Sequence, residues 1–190
     1  MQKTIVGFGA SSMEGIGDET GGGFFKRIQP AFNQHRFINL GIGGNTTRDM
    51  LQRCDQVVSY RPYDLIVLPG CNDFPRANDE DSQARTSVEE YCQNLTRILT
   101  TIKGKRSIFI TSFPVDPIRS GVSAEMFDRY ISRAHAIAVN SGYEIIDLYA
   151  MIRTSRREYL SSDGIHFNAQ GHQAIADLLK SALLHTMSDP

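Results

Sequence analysis

A serine near the start of the chain and an aspartate–histidine pair near its end have the residue types of an acyl-transfer site. Ser11 follows a short glycine-containing run, and Asp163 lies three positions before His166. A serine hydroxyl is a weak nucleophile at neutral pH, so it needs a neighbouring base whose tautomer is fixed by a third group. The spacing allows the Asp163 carboxylate to bind one ring nitrogen of His166 while the other nitrogen faces Ser11. Because triads are recognised by role rather than by sequence order, these residues predict a serine hydrolase.

Glycines and an asparagine between these two motifs are candidate hydrogen-bond donors. The transition state of acyl transfer develops negative charge on an oxygen, which preorganised donors stabilise. We expect three donors: the backbone amide of Ser11, an amide of the turn at Gly43 and Gly44, and the side-chain amide of Asn72. The sequence therefore supplies a nucleophile, its base and a candidate oxyanion hole.

The elements that must position these residues alternate between short apolar runs and longer segments of helical pattern. This alternation predicts an α/β fold in which helices cover both faces of a parallel sheet. The predicted strands span residues 4–9, 37–41, 65–69, 107–112 and 144–148. The predicted helices span residues 24–32, 48–59, 88–103, 124–141 and 169–185.

The loops after the predicted strands carry the candidate site residues. Ser11 follows the first strand, the glycine-rich turn at 41–46 follows the second, and Asn72 follows the third. Asp163 and His166 lie between the fifth strand and the last helix. Because open α/β sheets bind ligands at the carboxyl ends of their strands, we expect all of these residues to converge on one edge of the sheet.

The composition of the chain indicates one globular domain over residues 1–190. Its 190 residues, 41% of them hydrophobic, are enough for a substantial core. A formal net charge of −1 gives no general attraction for nucleic acid or an anionic membrane. Three cysteines without a CxxC spacing argue against a disulfide framework or a zinc site. No segment has the length of a membrane span or the pattern of a signal peptide, so we expect a cytoplasmic protein.

Four segments resemble, in the same order, the sequence blocks of the SGNH, or GDSL-type, hydrolases. They are GASSMEG at 9–15, NLGIGGNTT at 39–47, GCND at 70–73 and DGIHFNAQGH at 163–172. The resemblance implies a three-layer αβα, flavodoxin-like fold with a five-stranded parallel sheet, and no metal or organic cofactor. It also implies Ser11 as nucleophile, His166 as base and Asp163 as the acid that orients it. The implied oxyanion hole consists of the amides of Ser11 and Gly44 and the side chain of Asn72.

The chain departs from the family pattern at two positions beside the predicted site. Ala10 stands where the first block usually has an aspartate, which affects the support of the local loop more than the chemistry. Phe167 occupies a position where proline or leucine is frequent, and it can reshape the pocket wall. The chain has little length for a large lid, so we expect a shallow pocket. Its expected lining residues are Phe74, Phe113, Pro114, Ile165 and Phe167.

The preferred hypothesis is an esterase or acylhydrolase that cleaves a small carboxylic ester or thioester through an acyl-enzyme on Ser11. An acyltransferase or a carbohydrate acetyl esterase would use the same triad. A non-catalytic binding module should have lost a triad or oxyanion residue, and none is missing. The turn at 41–46 also resembles a phosphate cradle, but it lacks the lysine of a P-loop. A dinucleotide site would need an acidic residue at the end of the second strand, where the chain has none.

Overall fold

The fold is built on a five-stranded, all-parallel sheet with strand order β2-β1-β3-β4-β5. The structure is a computed structural model, and it describes residues 1–75, 86–113, 115–152 and 156–185. The strands are β1 (Thr4–Gly9), β2 (Arg36–Gly41), β3 (Asp64–Leu68), β4 (Arg106–Ile110) and β5 (Glu144–Ile146). Each lies within two residues of its predicted bounds, and β5 ends early because a helix begins at Leu148. The predicted parallel α/β architecture is confirmed.

β1 and β3 form where the sequence is mostly apolar rather than alternating. All five residues of β3 are buried, and in β1 only Thr4 is not. Such runs are typical of parallel strands covered on both faces. The register aligns Gly9 at the end of β1 with Gly41 of β2 and Leu68 of β3. The loops that leave these three strands therefore start side by side at one edge of the sheet.

Helices cover both faces of the sheet and complete a three-layer fold. α5 (Val88–Thr101) packs against α3 (Thr47–Gln52) and α7 (Ala124–Asn140), whereas α2 (Phe24–Arg27) packs against α10 (Ala169–His185). No helix among the described residues is long and apolar enough to cross a membrane. The helices are α1 (Ser11–Glu14), α2 (Phe24–Arg27), α3 (Thr47–Gln52), α4 (Cys54–Tyr60), α5 (Val88–Thr101), α6 (Pro117–Ser120), α7 (Ala124–Asn140), α8 (Leu148–Ile152), α9 (Arg156–Tyr159) and α10 (Ala169–His185).

Two of the predicted helices are interrupted. Within the segment predicted at 24–32, α2 ends early and a 3₁₀ helix follows at Gln29–Phe32. Pro30, which has no N–H to donate, lies in this second piece. The segment predicted at 48–59 divides into α3 and α4 at Arg53, whose φ of −118° and ψ of 17° leave helical geometry.

Candidate active site

Ser11 is the first residue of α1, directly beyond the end of β1. Ser11 is 8% exposed, and the preceding Ala10 is fully buried. The N–H of Ala10 donates to the carbonyl of Leu68 at 3.3 Å. Gly9 is required at this close approach, because a Cβ there would lie 2.0 Å from the same carbonyl oxygen. Ala10, in place of the aspartate typical of the family, caps α1 without a side-chain hydrogen bond. The backbone alone therefore holds the start of this helix.

Asp163 and His166 are in direct contact. Oδ2 of Asp163 lies 2.6 Å from Nδ1 of His166, and Oδ1 accepts the backbone N–H groups of Ile165 at 2.8 Å and His166 at 3.0 Å. The hydroxyl of Ser161 also donates to Oδ1 at 2.8 Å. Burial opposes ionisation of Asp163, but the hydrogen bonds from His166, Ile165 and Ser161 outweigh it and hold the pKa of this carboxyl well below its usual range.

The ionised carboxylate fixes the tautomer of His166. A carboxylate only accepts hydrogen bonds, so the close contact assigns the ring proton of the neutral imidazole to Nδ1. Nε2 then carries a lone pair and is suited to accept a proton. The Asp163–His166 pair therefore has the electronic arrangement of a general base with its orienting acid.

The loop after α1 connects Ser11 with the turn that carries His166. The N–H of Ile16 donates to the carbonyl of Ser11 at 3.0 Å. At the next residue, Gly17, a Cβ would lie 2.1 Å from the carbonyl oxygen of Phe167 and 3.0 Å from Cβ of His166. Such close packing, together with a φ of +94°, requires glycine at this position. The loop after the first strand and the turn before the last helix therefore meet at one place.

His172 on α10 holds the same loop in place. It is fully buried, its Nδ1 accepts the N–H of Phe24 at 3.2 Å, and its Nε2 lies 3.1 Å from the carbonyl oxygen of Ile16. Because Nδ1 accepts, Nε2 must be the donor, and the ring is neutral. Burial lowers the pKa of His172, which favours this neutral form. His172 therefore anchors the loop after α1 at two points.

The turn after β2 lies beside Ser11 and contacts Asn72. A Cβ on Gly43 would lie 4.0 Å from Cβ of Ser11, and the N–H of Gly43 donates to the Glu14 carboxylate at 2.5 Å. Gly44 has a φ of +78°, a conformation that favours glycine. The side-chain amide of Asn72 donates to the carbonyl of Asn45 at 2.9 Å. The turn that contains Gly44 therefore lies beside Ser11 and is hydrogen-bonded to Asn72.

A buried carboxylate connects the loop after β3 with the start of α3. Asp73 is 1% exposed and accepts the N–H of Thr47 at 2.9 and 3.1 Å and its hydroxyl at 2.6 Å. Burial raises the pKa of Asp73, although the hydrogen bonds from Thr47 oppose this shift. Asp73 thus fixes α3, which follows the Gly43–Asn45 turn, against the loop that carries Asn72.

Most of the residues predicted to line the substrate pocket are enclosed in the core. Phe74 is fully buried among the rings of Tyr91, Phe127 and Tyr130. The rings of Phe113 and Phe167 are 3.7 Å apart at their centroids, and both residues are at most 3% exposed. Ile165 is half-buried in the turn before His166, and Pro114 lies outside the described residues. A contribution of these residues to substrate binding stays a prediction.

Three positioning residues at the site were not predicted from the sequence. Ser161 supports Asp163, His172 anchors the loop after α1, and Arg53 binds the ends of β1 and β2. Only Ser161 lies close in the sequence to the group that it binds, two positions before Asp163. The bonds of the other two residues reach distant parts of the chain. Among the described residues, no group of three or more His, Cys, Asp or Glu side chains is arranged to hold a metal ion.

The five-stranded parallel sheet with helices on both faces is the three-layer fold of SGNH-type hydrolases. The family model of the GDSL-like lipase/acylhydrolase family matches residues 7–174. The chain therefore belongs to this family. This confirms the resemblance drawn from the four sequence blocks.

Curated relatives of the chain include a lipase and an esterase. It is 26% identical over 160 residues to the spore germination lipase LipC of Bacillus licheniformis, covering 77% of this chain and 76% of the relative. It is 25% identical over 150 residues to an acetylxylan esterase of Geobacillus stearothermophilus, covering 74% of this chain and 68% of that protein. The names of both relatives, a lipase and an esterase, are those of enzymes that hydrolyse esters.

Solved structures share the fold over nearly the whole chain. The crystal structure of a lipase/acylhydrolase from Enterococcus faecalis superposes with a TM-score of 0.80 at 23% identity, covering 96% of this chain and 95% of that one. The acetylxylan esterase Axe2 of Geobacillus stearothermophilus gives a TM-score of 0.76 at 21% identity, covering 99% and 95%. Catalytic mutants of Axe2 replace a serine, an aspartate and a histidine by alanine, the last two being three positions apart.

Proposed function

We propose that the protein is a serine esterase that cleaves a small carboxylic ester or thioester through an acyl-enzyme on Ser11. The observation that carries the proposal is the 2.6 Å contact between Asp163 and His166, in a turn packed against the loop that follows Ser11. The aspartate and histidine have the same spacing as those replaced in the catalytic mutants of Axe2. Together these features support a Ser-His-Asp triad.

The reaction has two stages with the same base. In the first, Nε2 of His166 takes the hydroxyl proton while Oγ of Ser11 attacks the carbonyl carbon, and the resulting oxyanion is stabilised by the amides of Ser11 and Gly44 and the side chain of Asn72. The intermediate then expels the alcohol or thiol, which receives the proton from His166. In the second stage, His166 takes a proton from water, and the hydroxide attacks the acyl group. Collapse of this second intermediate releases the carboxylic acid and returns the proton to Ser11.

Removal of the nucleophile tests the proposal. Ser11→Ala is expected to lower kcat for 4-nitrophenyl acetate by at least about 10³-fold. Ser12→Ala is the matched control, because Ser12 is equally buried in the same helix and carries no proposed role. Circular dichroism checks that both variants are folded. Labelling by a fluorophosphonate should occur in the wild type and in Ser12→Ala only. Activity retained by Ser11→Ala would refute the assignment, and a folded wild type that is neither active nor labelled would indicate a binding module.

An acetylated carbohydrate is the second candidate substrate, favoured by the match to an acetylxylan esterase along the chain. Acetate release from acetylated xylooligosaccharides should be compared with hydrolysis of 4-nitrophenyl esters from C2 to C12. A carbohydrate esterase would have a higher kcat/KM, expressed per acetyl ester group, for the saccharide than for 4-nitrophenyl acetate. Preference for the C8 to C12 esters, with no acetate released from the saccharide, would contradict this specificity.

A further inference from the structure

The Arg53 guanidinium binds three acceptors, one at the end of β1 and two at the end of β2 and in the turn after it. Nη2 donates to the carbonyl of Gly9, Nη1 to the carbonyl of Leu40, and Nε to Oδ1 of Asn45, each at 2.7 Å. Gly9 ends β1 two residues before Ser11, and Leu40 lies at the end of β2. One half-buried side chain therefore joins the strand of the proposed nucleophile to the turn that contains Gly44.

Asn45 transmits this connection to the third predicted oxyanion donor. Its side chain is held by Arg53, and its carbonyl accepts a hydrogen bond from the side-chain amide of Asn72 at 2.9 Å. A side-chain amide is planar and has two N–H groups, so fixing one of them also fixes the direction of the other. Asn45 also follows Gly44 directly, so holding Asn45 limits the positions that the amide of Gly44 can take.

The local structure around Arg53 is matched to this role. Arg53 lies at the break between α3 and α4, and its guanidinium stacks 4.5 Å above the ring of Phe8 on β1. A planar guanidinium with donors in a fixed fork can reach three acceptors in different directions. A lysine ammonium at the end of a flexible chain cannot reproduce this arrangement.

We infer that Arg53 is a positioning residue that sets the geometry of the oxyanion hole by holding Asn45 against the ends of β1 and β2. The inference rests on the proposed esterase function, because it concerns donors to an oxyanion formed on the Ser11 adduct. It assigns Arg53 no contact with the substrate. Displacement of these donors affects the transition state more than the ground state, so it lowers kcat rather than raising KM.

Arg53→Lys tests the inference in the chain of 190 residues. We expect kcat for 4-nitrophenyl acetate to fall by about 10- to 100-fold, because loss of a single oxyanion donor costs about 10²- to 10³-fold and misplacement costs less. KM should change by less than about threefold. Affinity for phenylboronic acid, whose serine adduct has a tetrahedral oxyanion, should fall by a factor similar to that for kcat/KM. The pH at which kcat/KM is half-maximal should not move, because Arg53 has no bond to His166.

Arg106→Lys is the matched control. Arg106 lies at the start of β4, among the amino ends of the strands and therefore away from the strand ends that carry the site. There it donates to Asp64 and to the carbonyl of Ala182. Its replacement should lower stability while kcat of the folded enzyme stays within about twofold. Equal losses of kcat in the Arg53 and Arg106 variants would mean that Arg53 acts only through general stability, which would overturn the inference.

Two variants of Asn45 test the same connection without altering Arg53. Asn45→Asp keeps an oxygen that accepts from Nε of Arg53 and should retain kcat within about threefold, whereas Asn45→Ala should lose about as much as Arg53→Lys. Arg53→Lys combined with Asn45→Ala should lose little more than either change alone. Multiplicative losses, or a wild-type kcat in Asn45→Ala, would overturn the inference. Absence of Ser11-dependent turnover in the wild type would instead overturn the proposed function, and the inference with it.

Discussion

Replacement of His172 by phenylalanine tests how the loop after α1 is held beside the proposed triad. The ring of His172 stacks on Phe24 with centroids 6.1 Å apart and meets the edge of Phe167 at 5.8 Å. Phenylalanine preserves this packing shape. It removes the acceptor for the N–H of Phe24 and the donor to the carbonyl of Ile16. The substitution therefore isolates two hydrogen bonds from the packing around them.

The expected loss of stability follows from the burial of the two backbone groups. Phe24 is fully buried, and a buried donor without a partner costs about 1–3 kcal/mol. Ile16 is 40% exposed, so water can replace the lost donor to its carbonyl at a cost below about 1 kcal/mol. The sum predicts that the free energy of unfolding falls by about 1–4 kcal/mol. With an m-value of about 2 kcal/mol/M for urea, the midpoint moves down by about 0.5–2 M.

The same substitution should change the pH dependence of stability. Burial lowers the pKa of His172 below its ordinary value of 6.5. The unfolded chain therefore takes up a proton before the folded one does, and this residue's contribution to stability is lost as pH falls below about 6.5. His172→Phe has no such group. The difference in unfolding free energy between wild type and variant should therefore shrink from pH 7 to pH 5.

Urea unfolding at pH 7, 6 and 5, followed by circular dichroism, measures both effects. Tyr143→Phe is the control, because it removes one buried hydrogen bond to the carbonyl of Ile102, remote from the loop, and should cost about 1 kcal/mol. Its effect should be constant over this pH range. A loss below about 0.5 kcal/mol in His172→Phe, or a difference from wild type that does not change with pH, would refute the reasoning.

Two further substitutions address the carboxylates beside the site. Asp163→Asn should lower kcat by about 10³- to 10⁴-fold, because an amide NH₂ facing Nδ1 favours the His166 tautomer that cannot accept the serine proton; steady-state kinetics showing a loss below tenfold would contradict this. Asp18→Asn removes the negative charge and replaces one of the two oxygens that accept the 2.8 Å bonds from Arg27 by an NH₂ group, and it should lower the unfolding free energy by about 1.5–3 kcal/mol at pH 7. Because Arg27 holds the pKa of Asp18 far below 3.8, this difference should narrow as pH falls below about 4, and acid-unfolding curves without such convergence would contradict the prediction.

The strands and the edge that carries the site could be predicted because they depend on local sequence and on one topological rule. The run at 4–9 is continuously apolar and ends in a glycine, and β1 has the predicted bounds. Parallel strands bring all their carboxyl ends to one edge, so the loops after β1, β2 and β3 had to start together. The strand from which each loop starts therefore predicted its place at this edge. The contacts within the site could not be predicted in this way.

The helix break at Arg53 could not be predicted because arginine favours helices and nothing in the local pattern marks an end. Its three acceptors lie 8, 13 and 44 positions away along the chain. Bonds over such separations exist only after the sheet has formed. Tertiary contacts therefore overrode local propensity at this residue, which is where a residue with a positioning role is expected.

The chemistry of strand ends explains why polar groups hold this site. A parallel strand that stops at the sheet edge leaves carbonyls without a ladder partner, and such groups are costly when buried. Arg53 donates to the carbonyls of Gly9 and Leu40 near the ends of β1 and β2, and Asp73 and His172 accept backbone N–H groups at the starts of the adjoining helices. Apolar packing tolerates small shifts, whereas hydrogen bonds of this kind specify the positions of loops closely. Substitutions at Arg53 should therefore reduce kcat more than their effect on stability would suggest, while substitutions of core phenylalanines should do the reverse.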